Sequence, residues 1–232
     1  MVTKQPHEDT AVQPPHSAAP VGPLSEREII GAALRLAGCL GFNGVTMRGV
    51  AQELNVTPMA IYYHVQNKQA LLQLVTDAIL DDIQIPPPEA GTWMQRLRLL
   101  HQETTRVLSP YPGIDAMMID IGLTEQGRRL MDANIQILLD AGFDERTALL
   151  AYNVLHSYGI GRISIESRLR GKRRTPSGAP RAEFPALRRI HSEVPHLRAA
   201  DYRGFGYEAI LLGINELLEQ TRPEEGPSTT TP

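Results

Sequence analysis

The segment VTPMAIYYHVQNKQALL, residues 56–72, contains two helix starts and, between them, a pair of adjacent tyrosines. Thr57 is a typical helix N-cap, and Pro58 suits the first helical position, where its missing N–H removes no hydrogen bond. Asn67 can cap the next helix in the same way. A buried helix does not need two tyrosines, a histidine and a lysine on its surface, so we expect this segment to dock on a partner.

A longer helix is predicted upstream of this stretch. The sequence SERE at residues 25–28 places a serine N-cap three residues before a glutamate, the reciprocal capping arrangement of a helix start, and Gly41 supplies a left-handed stop. The apolar residues that recur on one face of this helix are Ile29, Ala33, Leu36, Ala37 and Leu40. Cys39 lies in the same apolar run, so we expect it to be buried.

Thr46 caps a second, short helix that buries Val50 and Leu54, and residues 55–56 form the turn into the helix of the opening stretch. Two short helices joined by a tight turn, with a longer helix before them and another after, form a helix-turn-helix unit, whose second helix enters the DNA major groove. From the residues alone, a small helical bundle with half-buried tyrosines is an equally good interpretation.

The rest of the chain has apolar residues at helical spacing and no sustained alternation of period two, so we expect an all-α protein. The further predicted helices are 92–108, 114–121, 124–141, 144–169, 182–191 and 201–221.

The domain organisation follows from composition. Proline-rich residues 1–23 and residues 222–232 are expected to be disordered tails, and 171–180 a mobile loop rather than a nucleic-acid patch. Residues 24–70 form the predicted helix-turn-helix domain, and residues 71–221 a larger helical domain for ligand binding and dimerisation.

Composition excludes several classes of protein. The net charge of −3 argues against bulk polyanion binding by the whole chain, although a local DNA surface remains compatible with it. A single cysteine excludes an intramolecular disulfide framework and a zinc site built from several cysteines. The sequence has neither a long apolar run nor a signal peptide, so we expect no membrane association and a cytoplasmic location.

The sequence has no catalytic signature: it lacks a phosphate-binding glycine loop, an HExxH motif and a nucleophile in a recognisable setting. We therefore expect no enzyme activity, no catalytic residue and no cofactor. His101 and Glu103 could be imagined as groups near a magnesium ion, but their spacing forms no coherent ligand set, so no metal site is predicted.

From about Ile29 to Leu74, the sequence resembles the N-terminal domain of TetR-type transcriptional repressors, whose recurring pattern is G…T.R.(V/I)A..L.V....(L/I)Y.H...K..LL. The segment YHVQNK resembles most the branch that contains the tetracycline repressor. The matching positions are Gly44, Thr46, Arg48, Val50, Ala51, Leu54, Val56, Ile61, Tyr62, His64, Lys68, Leu71 and Leu72.

The resemblance implies a bacterial regulator that binds a palindromic operator in double-stranded DNA as a homodimer and responds to a small inducer. It places base and adjoining backbone contacts at Thr57, Pro58, Met59, Tyr62 and Tyr63. It places phosphate contacts or head packing at Thr46, Arg48, His64 and Lys68. Pro58 departs from the polar residue usual in this branch, so we expect base readout to depend on apolar contacts and shape.

The C-terminal region resembles the same branch in layout, which implies a dimer interface formed by the helices near 144–169 and 201–221. The residues that could supply its apolar face are Leu149, Leu150, Leu155, Ile160, Ile210, Leu211, Ile214 and Leu217. The alternative is that these residues form the core of the monomer.

The resemblance also places an inducer site among the helices between the DNA-binding domain and this interface. The candidate ligand contacts are Trp93, Leu97, His101, Met117, Met118, Ile121, Tyr152, Asn153, His156 and Arg162. Of these, Asn153, His156 and Arg162 are the polar groups expected to orient a ligand, whose identity the sequence does not reveal. An activator of the same fold and a ligand-sequestering protein with a weakened DNA-binding domain remain alternatives to a repressor.

Overall fold

The computed structural model describes residues 23–120, 124–169 and 183–221, and within these ranges the regular structure is entirely helical. This confirms the predicted all-α class. The predicted loop at 171–180, the C-terminal tail and all but the last residue of the N-terminal tail lie outside the described residues. The α-helices of the described ranges are α1 Glu26–Leu40, α2 Met47–Glu53, α3 Pro58–Tyr62, α4 Lys68–Asp81, α5 Trp93–Leu108, α6 Ile114–Asp120, α7 Glu125–Asp140, α8 Glu145–Leu169, α9 Pro185–Ile190 and α10 Ala199–Thr221.

The predicted capping box begins α1. The side chain of Ser25 accepts a hydrogen bond from the backbone N–H of Glu28 at 3.3 Å, and the Glu28 carboxylate accepts one from the backbone N–H of Ser25 at 2.8 Å. Gly41 ends the helix with φ +73°.

The prediction that Cys39 is buried is wrong, and so is the placement of Leu40 on the apolar face of the helix. The core face of α1 consists of Ile29, Ala32, Ala33 and Ala37, whereas Cys39 is exposed and Leu40 is 63% exposed. Cys39 lies two residues beyond the last of these core residues, a rotation of about 200° around the helix axis, so it points away from the core. Leu40 instead lies over Gly44, where it leaves no room for a β-carbon.

The helix-turn-helix unit forms as predicted. Thr46 accepts a hydrogen bond from the N–H of Gly49 at 3.0 Å, and Thr57 accepts one from the N–H of Ala60 at 3.3 Å. Asn55 adopts φ +53° in the turn between the two helices, a left-handed conformation that asparagine tolerates better than most residues. Leu54, expected to be buried, is only half-buried at the end of α2.

We call α1–α3 the head and α5–α10 the body. Helix α4, capped by Asn67 as predicted, contacts α1 in the head and α5, α6 and α7 in the body. At its far end, Arg129 of α7 donates hydrogen bonds to the carbonyls of Leu80 and Ile83, at 3.3 and 3.1 Å. Helix α4 therefore connects the two parts of the molecule.

The body packs α5, α7, α8 and α10 against one another. The Tyr207 hydroxyl donates to the carbonyl of Leu97 at 3.1 Å, and the Tyr158 hydroxyl donates to the carbonyl of Tyr202 at 2.7 Å. None of the helices in the described ranges combines the length and the apolar character needed to cross a membrane.

Candidate DNA-binding surface and ligand cavity

Helix α3 presents its start and its tyrosines to solvent. Met59 is 63% exposed, Tyr62 is 47% exposed and Tyr63 is 83% exposed, whereas Ile61 on the opposite side is fully buried. Ile61 therefore anchors the helix to the head while the exposed side chains stay free for a partner. Thr57 and Pro58 are exposed as well, so all five residues predicted to contact bases are accessible to a partner.

The four residues predicted to contact phosphates or to pack the head are also exposed. Thr46 and Arg48 lie at the start of α2, whereas His64 and Lys68 lie between the end of α3 and the start of α4. In the sequence, two of these residues precede α3 and two follow it. Their contact with DNA stays a prediction.

A cavity lies in the body, between α4, α5, α6, α7, α8 and α10. The empty space between its walls measures about 970 Å³, including space open to solvent. Five of the candidate ligand contacts line it, namely His101, Met117, Met118, Tyr152 and His156.

The other candidates lie elsewhere. Trp93 packs edge-on against Phe143, with ring centroids 5.4 Å apart, and Leu97 is fully buried in the core. Asn153 is exposed, because a single step along α8 from Tyr152 rotates its side chain by about 100°. Arg162 pairs with Glu166 at 3.2 Å. Ile121 lies outside the described residues.

Several cavity residues were missed in the sequence. The polar ones are Thr76, Thr104, Thr124, Asn134 and Tyr207, contributed by α4, α5, the N-cap of α7, α7 and α10. The local sequence could not have identified them, because these residues come from distant helices and are brought together only in the folded protein.

Two stacked aromatic pairs form part of the wall. His101 of α5 lies on Tyr207 of α10, with ring centroids 3.8 Å apart and ring planes 7° from parallel. Tyr152 and His156, one turn apart on α8, have centroids 5.3 Å apart. Burial, assisted by the nearby positive charge of Arg203, lowers the pKa of His101 to about 4. Burial also lowers the pKa of His156, so both imidazoles are neutral near pH 7.

No group of three or more His, Cys, Asp or Glu side chains in the described part of the chain could hold a metal ion. The carboxylate of Glu103 is bound by Arg106, at 2.7 Å, on the exposed side of α5. His101 faces the body's interior instead, so the two residues do not form a metal site together.

Apolar side chains remain exposed on the two longest helices. The exposed ones on α8 are Leu149, Leu150, Val154, Ile165 and Leu169, and those on α10 are Phe205, Leu212 and Leu217. We call this set the α8/α10 face. Of the residues predicted for the dimer interface, Leu155, Leu211 and Ile214 are buried in the core of the monomer, and Ile160 and Ile210 are half-buried.

A second contact joins head and body besides α4. The N–H of Phe42, just after α1, donates to the carbonyl of Pro112 at 2.9 Å. Pro112 lies in the loop between α5 and α6, both of which line the cavity. Gly41 is required here, because a β-carbon at this position would lie 2.9 Å from the Pro112 carbonyl oxygen.

Comparison with known families covers most of the described chain. Residues 29–75 match the family described as bacterial regulatory proteins, tetR family, and residues 85–216 match the tetracyclin repressor-like C-terminal domain.

Individual proteins are similar at lower identity. An HTH-type transcriptional regulator of Saccharopolyspora erythraea is 27% identical over 145 residues, which span 62% of this chain and 61% of that protein. The tetracycline repressor protein class D of Escherichia coli is 26% identical over 201 residues, 84% of this chain and 88% of that protein. The crystal structure of ActR from Streptomyces coelicolor in complex with actinorhodin has the same fold, with a TM-score of 0.74 at 24% identity, covering 87% of this chain and 100% of that chain.

Proposed function

This chain belongs to the TetR family of bacterial regulatory proteins, and we propose that it is a cytoplasmic repressor that binds a palindromic operator as a homodimer and is released by a small, largely apolar inducer. Members of this family are transcription regulators with a DNA-binding and a ligand-binding domain, and they are not enzymes. The observation that carries the proposal is the exposed face of α3, held to the head by the fully buried Ile61.

Operator contact is assigned to the exposed residues of the head. Met59 and the tyrosine rings offer apolar contacts to thymine methyl groups and sugars, and the tyrosine hydroxyls can donate to phosphates. Arg48 and Lys68 supply positive charge on either side of α3. The head has few hydrogen-bond donors that reach base edges, so shape and apolar contacts carry much of the proposed specificity.

Dimerisation is assigned to the α8/α10 face. Phe205 is 80% exposed and Leu212 is 57% exposed on α10, and Leu150 and Val154 are both more than half exposed on α8. An apolar patch of this kind on a soluble regulator is typical of a protein interface. Since α8 and α10 already contact each other, a second copy would complete a four-helix interface.

Inducer binding is assigned to the cavity of the body. Its wall is mostly apolar with a few polar groups, as is usual for small-molecule sites. The names of similar proteins support a small organic ligand, since one is a tetracycline repressor and the ActR structure contains actinorhodin.

The proposed mechanism uses the two contacts between head and body. Thr76 and Leu80 of α4 lie in the cavity wall, and Pro112 holds the α1 end of the head. A ligand that favours one arrangement of these walls moves α4 and the Pro112 loop, and so the spacing of the two α3 helices in the dimer. Operator half-sites lie about one DNA turn apart, roughly 34–36 Å, so a changed spacing lowers DNA affinity. The ligand can act only through its preference between the two states.

The test is selection of a binding sequence from a random duplex pool by the full-length protein, followed by fluorescence anisotropy with the selected duplex. Enrichment of a palindrome, bound by a protein that light scattering shows to be dimeric, is the expected result. Lys68→Ala should weaken binding and reduce the slope of log affinity against log salt concentration by about one. Arg146→Ala, an exposed arginine at the start of α8, is the matched control and should leave both unchanged. A folded, dimeric protein that enriches no sequence would contradict the proposal.

A further inference from the structure

The cavity wall contains no charged side chain among the described residues that line it. Charged residues that flank the wall on α8 and α10 are paired within the protein: Glu166 accepts hydrogen bonds from Arg162 and Arg203, and Glu208 accepts two from Arg98. An ionic ligand would therefore lose its hydration without gaining a partner of opposite charge, which is strongly unfavourable. The wall selects against ions of either sign.

Three polar groups of the wall, on α4, α7 and α10, already donate a hydrogen bond to a backbone carbonyl. The Thr76 hydroxyl donates to the carbonyl of Leu72 at 2.8 Å, and the Asn134 amide donates to the carbonyl of Leu130 at 2.7 Å. The Tyr207 hydroxyl is occupied by the carbonyl of Leu97. The hydroxyls of Thr76 and Tyr207 therefore have no proton left to donate to a ligand.

His101 is the polar group of the wall whose hydrogen bonding is most clearly incomplete. Its Nε2 is buried and has no hydrogen-bond partner in the described part of the chain. Its ring is held flat against Tyr207, so it offers both an aromatic surface and a ring nitrogen. A neutral imidazole has one nitrogen lone pair, which accepts a hydrogen bond from a hydroxyl group. The stacked pair Tyr152–His156 provides a second aromatic surface on α8.

We infer that the cavity takes an uncharged aromatic molecule with at least one hydroxyl group, whose rings pack against the two stacked pairs and whose hydroxyl donates to a nitrogen of His101. This inference deepens the proposed function and rests on it, since it names the chemical class of the inducer. It makes His101 the residue that determines specificity for a hydroxyl group.

The experiment titrates the full-length protein, without DNA, with three phenanthrene probes that share one ring system and differ in one group: 9-phenanthrol, 9-methoxyphenanthrene and phenanthrene-9-carboxylate. Isothermal titration calorimetry gives the Kd of each. The phenol should bind roughly tenfold more tightly than the methyl ether, because only the phenol donates a hydrogen bond. The carboxylate should bind at least about tenfold more weakly than the phenol, because its charge finds no partner.

Variants assign the effect to His101. His101→Phe keeps the stacked ring but removes both nitrogens, so it should bring the ratio of phenol to ether affinity close to one while leaving ether binding intact. His196→Phe, a surface histidine outside the cavity, is the matched control and should keep the tenfold ratio. If the His101 variant does not fold, the comparison of the three probes with the wild-type protein still decides the ligand class.

Three results would overturn the inference: no probe binds, the carboxylate binds as tightly as the phenol, or a folded His101→Phe protein keeps the tenfold ratio. Operator binding by the same sample, measured without any probe, tests the proposed function separately. A protein that binds its operator but none of the probes would refute this ligand class and leave the repressor proposal standing.

Discussion

The head and the cavity differ in how far apart along the chain their candidate residues lie. The nine residues assigned to DNA fall between Thr46 and Lys68, whereas the cavity wall extends from Thr76 to Tyr207. In the head, caps and turns between neighbouring residues decide which side chains face outward. In the cavity, the packing of six helices determines which side chains form the wall. The exposed residues of the head can therefore be predicted from local sequence rules, whereas the cavity residues can be identified only from the complete fold.

The largest expected effect on stability is at the buried side of α3, and it should be absent on the exposed side of the same helix. Ile61→Ala should lower the free energy of unfolding by about 2–5 kcal/mol, because it removes a fully buried side chain. Met59→Ala, on the exposed side of the same helix, should change it by less than about 0.5 kcal/mol. Urea denaturation followed by circular dichroism measures both. Equal losses would mean that α3 has no distinct buried side.

A pH titration tests the same contrast, since the histidines of the described residues whose pKa is lowered, His101 and His156, both lie in the cavity wall. The pKa of His101 is about 4 in the folded protein against an ordinary value of 6.5, so the unfolded chain takes up the proton first as the pH falls. The stabilisation is complete above pH 6.5 and is lost between pH 6.5 and about 4, on the order of 3 kcal/mol.

The variant His101→Phe should remove most of that pH dependence in urea denaturation curves, and His196→Phe should keep it. An unchanged slope in the His101 variant would show that other groups cause the acid sensitivity.

Gly41→Ala tests the contact that joins the two regions. The backbone of Gly41, with φ +73° and ψ 168°, is one that side chains rarely tolerate, so alanine should cost about 1–3 kcal/mol of stability. The loss of the Pro112 contact should also weaken the effect of an inducer on operator binding. Gly31→Ala in the middle of α1 has nothing closer than 3.8 Å to its new methyl group and is the control expected to cause no loss. A full inducer response in a folded Gly41→Ala protein would exclude this contact from the mechanism.

The smallest effect on stability, and a selective one on function, is expected for Tyr62→Ala. Tyr62 is 47% exposed, so unfolding should change by less than about 1 kcal/mol. Operator affinity should fall roughly tenfold, or about 1.4 kcal/mol. Anisotropy with the selected duplex measures it, and Tyr62→Phe tells whether the hydroxyl or the ring is responsible. Wild-type affinity in a folded Tyr62→Ala protein would remove this residue from the DNA-binding surface.

The sequence predicted the helices of the head because their signals are local. Thr57, Pro58 and Asn67 act on backbone groups within one turn of themselves, so their effect can be read without knowledge of the fold. Cys39 was misplaced because an apolar neighbourhood does not tell which side of a helix a residue occupies.

The cavity could be predicted only in part. His101 and Tyr152 were identified, but Asn153 is exposed and Tyr207 was missed. Tyr207 is more than a hundred positions away from His101, and only tertiary packing stacks the two rings. The sequence also could not predict which apolar residues of α8 and α10 stay exposed, because leucine occurs both in the core and on the exposed face of these helices.

The most direct test of the central claim, a dimer whose two heads read two half-sites, is the affinity of the full-length protein for the selected operator with and without five extra base pairs at its centre. Five base pairs turn one half-site to the opposite side of the DNA. With five extra base pairs, anisotropy should show binding reduced to the level of a single half-site. Ten extra base pairs should bring the two half-sites back to the same side of the DNA but leave them too far apart. Undiminished binding to the duplex with five extra base pairs would refute a dimer that reads two half-sites together, because it would mean that each head binds DNA independently of the other.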